Sequence, residues 1–66
     1  MDRQIAERIV PTLMEAASQV AATIDTVRAH VSDDELKAYS NAVGNVVLAI
    51  EGVLRPIIIK YPDLHP

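Results

Sequence analysis

The side chains able to do chemistry are few and scattered. His30 and His65 lie far apart, and His65 sits in a tail bounded by Pro62 and Pro66. There is no cysteine, which excludes disulfides and thiolate metal sites. Glu7, Glu15 and Asp25 lack the pair spacing of a carboxylate metal bundle, and no Glu-x-x-His occurs. Ser18, Ser32 and Ser40 have no histidine that a simple fold clearly brings beside them. No glycine-rich phosphate loop is present. Catalysis needs a concave site with convergent groups, and this set offers none. The sequence therefore points to a protein that is not an enzyme and takes no cofactor and no metal.

Charge narrows the field further. The formal net charge is −3. The six cations Arg3, Arg8, Arg28, Lys37, Arg55 and Lys60 form no run. Phosphate binding needs concentrated positive charge, so nucleic acid is a poor partner. The start, Met1-Asp2-Arg3-Gln4, is not a signal peptide. The longest uncharged stretch, Ala38 to Ile50, is short for a bilayer and contains Ser40, Asn41, Gly44 and Asn45. We therefore expect a cytoplasmic protein without a membrane role. The initiating Met and the length lead us to expect a complete small protein.

Two apolar series must position whatever function exists. The first is Ala6, Val10, Leu13, Ala17, Val20, Ile24, Val27 and Val31, at alternating steps of four and three. Ile5, Ile9, Met14, Ala16 and Ala21 widen it. The second is Leu36, Tyr39, Val43, Val46, Ile50, Val53 and Ile57. Such spacing keeps side chains on one side of a helix. Asp2 is the expected cap of the first helix. Ser32 caps the second, with Glu35 completing a capping box and Val31 and Leu36 a hydrophobic staple. Asp33, Asp34 and Glu35 suit the positive end of its dipole. His30 suits the negative end of the first.

Pro11 and Pro56 interrupt both series. Proline inside a helix removes a hydrogen bond and clashes one turn back. The apolar phase nevertheless runs through each, so we read two long helices kinked at their prolines. The expected elements are helix 1 over about 2–30, helix 2 over about 33–61 and a short tail over 62–66. The short connection folds them into an antiparallel hairpin. The whole chain, 1–66, reads as one all-α domain.

So short a chain is marginal on its own. Half of its residues are hydrophobic, with no Phe or Trp, which favours close helix–helix packing. We expect a homodimer in which two hairpins form a four-helix bundle. Gly44, Leu48 and Gly52 form a row off the main stripe, where another backbone could approach closely. Ile57, Ile58 and Ile59 point around most of a helix, so one stripe cannot bury all three. With Tyr61 they make the far end a second candidate contact. Tyr39 reads as a core residue whose hydroxyl reaches the rim. Glu51 and Arg55 stand at the spacing of an i,i+4 ion pair. The functional expectation is a self-associating interaction or scaffold protein. The alternative is a small regulator, such as an anti-activator or antitoxin-like protein, that binds one partner protein. A nucleic-acid-binding dimer ranks behind both.

Overall fold

The computed structural model describes residues 1–65; Pro66, the end of the expected tail, lies outside the described residues. Two helices, α1 (Arg3–Arg28) and α2 (Asp33–Lys60), pack against each other as a hairpin, and a 3₁₀ turn (Pro62–Leu64) follows. Both helices begin where the sequence places their caps. Asp2 Oδ1 accepts the Ile5 N–H at 3.0 Å, and Ser32 Oγ accepts the Glu35 N–H at 3.2 Å. Only half of the capping box forms, because the Glu35 carboxylate makes no return bond to Ser32. The three acids Asp33, Asp34 and Glu35 all lie in the first turn of α2, where the dipole favours them.

α1 ends at Arg28, two residues before His30. The His30 backbone N–H closes the end by donating to the Val27 carbonyl at 2.9 Å. Arg28 supplies the cation in the last turn of α1. Residues 29–32 are all that separates the helices, which leaves the chain no option but to fold back.

Both helices run through their prolines, Pro11 in α1 and Pro56 in α2. Both rings are exposed. The carbonyls one turn back, at Glu7 and Gly52, lose their N–H donor but belong to exposed residues, so water can satisfy them. Beside Pro11, the Thr12 hydroxyl donates to the Arg8 carbonyl at 3.2 Å.

The interface is a single seam. Every member of the first apolar series is at least half-buried, and Ala6 and Val10 are closed off from solvent. Of the residues that widen it, Ile5 and Ala21 are exposed. On α2 the seam differs from the expected series. Leu36, Val43, Ile50 and Ile57 face α1 as expected. Between them the inward positions are Val47 and Leu54, while Val46 and Val53 are 47% and 55% exposed. The reason is local. Val46-Val47 and Val53-Leu54 are apolar pairs, so steps of three and of four from Val43 and Ile50 fit equally well. Packing against α1 chooses the step of four.

Tyr39 is half-buried and ties the helices near the turn. Its hydroxyl donates to Thr23 Oγ1 at 2.6 Å, and Thr23 donates onward to the Val20 carbonyl at 2.6 Å. The result is a rod with extents of 45 × 16 × 15 Å and a radius of gyration of 14.6 Å. A compact chain of this length has a radius near 11 Å.

The Ser32 cap gives a direct test. Ser32→Ala should cost about 1 kcal/mol, measured as a lower midpoint of thermal unfolding. An unchanged midpoint would mean that the cap adds nothing to stability.

Candidate interaction surface

The far end of the hairpin is closed by its own tail. Tyr61 ends α2, and its hydroxyl donates to the Met1 carbonyl at 2.8 Å. Lys60 Nζ donates to the same oxygen at 3.3 Å. The 3₁₀ turn brings Asp63 to Arg3, whose guanidinium donates to both carboxylate oxygens, one of them at 3.2 Å. The Tyr61 ring is flanked by two cations, with Arg3 5.7 Å and Lys60 5.5 Å from its centroid, within reach of a cation–π attraction. Hydrogen bonds and charge from Asp63 raise the Arg3 pKa, and the same bonds from Arg3 hold the Asp63 carboxyl below its usual range. Sequence reasoning gave Tyr61 a contact role and the tail none. Nothing in the local spelling of Pro62-Asp63-Leu64 announces a partner sixty residues away.

Two shallow grooves flank the far half of α2. One, of about 400 Å³, runs along Met14 and Ala17 of α1 and Leu54, Arg55, Ile58 and Ile59 of α2. The other, of about 410 Å³, is lined by Met1, Val53, Pro56, Ile57, Lys60 and Tyr61. The three isoleucines divide between them. Ile57 and Ile58 are half-buried, whereas Ile59 is 73% exposed. The expectation that one seam cannot cover all three is met.

The row Gly44, Leu48 and Gly52 faces away from α1. Leu48 is 63% exposed. A Cβ built on either glycine would meet nothing within 4 Å, so neither is required by packing within the chain. The row is interleaved with Lys37, Glu51 and Arg55 on the same side of α2. Glu51 and Arg55 do not form the expected ion pair. Arg3–Glu7 at 2.9 Å and Arg28–Asp25 at 3.8 Å pair instead. Exposed pairs gain little, so spacing alone does not secure one.

Among the described residues no group of three or more His, Asp or Glu side chains could hold a metal ion. By length and composition α2 could cross a bilayer: an 18-residue stretch within it has a mean hydropathy of 1.8, and 17% of that stretch is buried. The longest uncharged run understated this, because Glu51 and Arg55 are outweighed by the aliphatic residues around them. No family model, no curated protein and no solved structure matches this chain.

The Arg3–Asp63 closure predicts a pH response. The folded-state pKa of Asp63 is depressed. Its stabilisation is therefore complete above the unfolded carboxylate value of about 4 and is lost as pH falls through the lower folded value. Acidification below that range should move the Tyr61 ring signals in an NMR titration while both helices persist. Asp63→Asn should produce the same shift at neutral pH. Ring signals that ignore both changes would show that the ion pair does not hold the tail.

Proposed function

We propose that this protein is a non-enzymatic helical interaction module that works as a self-assembled unit. Two hairpins pair into a four-helix bundle, and the bundle acts as a scaffold or contact surface in the cytoplasm. One observation carries the reading: among the described residues, only Ala6, Val10, Val43 and Leu54 are buried hydrophobic residues. The chain leaves 4856 Å² exposed, against about 4,100 Å² expected for a folded monomer of its mass. Much of the excess is aliphatic, at Val46, Leu48, Val53 and Ile59. Without disulfides or metal, association is the remaining way for so small a unit to hide such surface.

In this reading both helices bend at Pro11 and Pro56 and shape the far end of the bundle. Gly44, Leu48 and Gly52, with Ile58 and Ile59, are left as contacts for a second subunit or for one partner protein. The small-regulator reading uses the same contacts. A nucleic-acid role finds no support, since the cations are dispersed and three of them, Arg3, Arg28 and Lys60, already have partners within the chain. The hydropathy of α2 favours a second reading, in which that helix enters a membrane. Against it, α2 is tied to α1 along its length, and α1 carries charges throughout.

Sedimentation at micromolar concentration should give a mass near twice 7.2 kDa. A monomer that persists at high concentration would defeat the reading. Ile58→Ser with Ile59→Ser then sorts the far end. Loss of the dimer would place these isoleucines in its core. An intact dimer would leave them for a partner.

A further inference from the structure

The two broad faces of the hairpin differ in charge. On α2, the positions Glu35, Tyr39, Ala42, Val46, Ala49, Val53, Pro56 and Lys60 follow one another at alternating steps of four and three. At about 100° per residue they form one row beside the buried seam. All but Tyr39 are exposed. The row carries charge only at its two ends, negative at Glu35 and positive at Lys60.

α1 continues the same face. Tyr39 reaches Thr23, and Ile9, Ala16, Val20 and Val27 share Thr23's side of α1. None of these is charged. The opposite face is different: its groove holds Glu51 and Arg55, and Lys37, Glu7 and Asp25 lie on that side. Within a two-helix unit nothing covers the uncharged face, and solvent does not select Val46 and Val53.

We infer that a second copy of this chain covers this face, in antiparallel orientation, with Glu35 of each copy beside Lys60 of the other. The inference rests on the self-association proposed above and assigns its seam. Area supports a full-length fit. A face of 45 × 16 Å offers about 700 Å² per copy, or about 1,400 Å² in all, within the usual range for a stable interface. Small side chains let the helices approach closely.

Symmetry and charge choose the orientation. A two-fold axis lying across the rod sets α2 against α2 of the other copy and opposes its ends. The midpoint of the row falls between Val46 and Ala49, so Val46 meets Ala49 and Ala42 meets Val53. Asp33, Asp34 and Glu35 crowd the turn end, while Lys60 is the charge that ends the row at the far end. Antiparallel pairing puts the Glu35 end of one row beside the Lys60 end of the other. It also keeps the two acidic turns a rod length apart, well beyond a Debye length of about 8 Å. A lipid surface fits less well. Interfacial helices carry a basic polar face, and this chain is acidic overall.

Sedimentation of the wild type, Val46→Glu and Leu48→Glu tests the face, with circular dichroism on each. Val46→Glu should weaken dimerisation by about a hundredfold or more by burying an unpaired charge, with helicity retained. Leu48→Glu should leave the dimer intact. If Val46→Glu loses helicity, Ala49→Glu on the same exposed row must give the same dissociation. A dimer indifferent to the charge would overturn this seam and leave self-association standing. A wild type that is monomeric throughout would overturn both. Binding of that monomer to phosphatidylcholine–phosphatidylglycerol vesicles would give the face to lipid.

Orientation is read by cross-linking in a chain with no native cysteine. An oxidised mixture of Glu35→Cys and Lys60→Cys chains should yield a mixed covalent dimer, and neither variant alone should. Each variant carries a single thiol, so no internal bridge competes. Self-linked products without the mixed species would overturn the antiparallel arrangement.

Discussion

Two packed helices share one line of contact. Each can bury only the strip that faces the other, and everything outside that strip meets solvent. In this chain the strip is built of Ala, Val, Leu and Ile, and among the described residues four of these are buried. The rest of the molecule follows from that limit. The rod is long because the only way to enlarge the seam is to lengthen it. The helices continue through Pro11 and Pro56 because stopping there would shorten a seam already marginal. The cost of each proline is offset by the apolar residues beyond it: Ala6 and Val10 on α1, Ile57 and Ile58 on α2.

The ends of the seam need separate closure, since helix termini leave backbone groups without partners. At the turn, the Ser32 cap and the His30 N–H on the Val27 carbonyl supply it, with the Tyr39–Thr23 bond beside them. At the far end the chain folds its last residues across its first. Met1, Arg3, Tyr61 and Asp63 form one polar cluster there, with Lys60 beside it. Both ends are thus held by polar bonds while the middle is held by apolar contact.

The flanks themselves are unequal in charge. Charge is spread along one flank and confined to Glu35 and Lys60 at the two ends of the other. The candidate contacts read from the sequence fall on both sides: Gly44, Leu48 and Gly52 on the charged side, Ile57 and Tyr61 on the other. A bundle that closes over the uncharged side leaves the glycine row available outside.

How much of this was legible in the sequence can be judged residue by residue. The two helices, their caps at Asp2 and Ser32, the turn and the passage through both prolines follow from local signals. These are periodicity, capping chemistry and the shortness of the connection, which act between residues a few positions apart. The α1 seam was legible too, although apolar pairs such as Ile9-Val10 and Ala16-Ala17 left a second phase open there as well. The α2 seam was not. Val46-Val47 and Val53-Leu54 satisfy two phases equally, and only contact with α1 turned Val47 and Leu54 inward. Nor could the sequence announce the Arg3–Asp63 closure or the grooves beside Ile57 and Ile58. Those depend on which residues two separate helices bring to the same level. Local chemistry determined what each segment is; the packing of one segment on the other decided which side of it faces out.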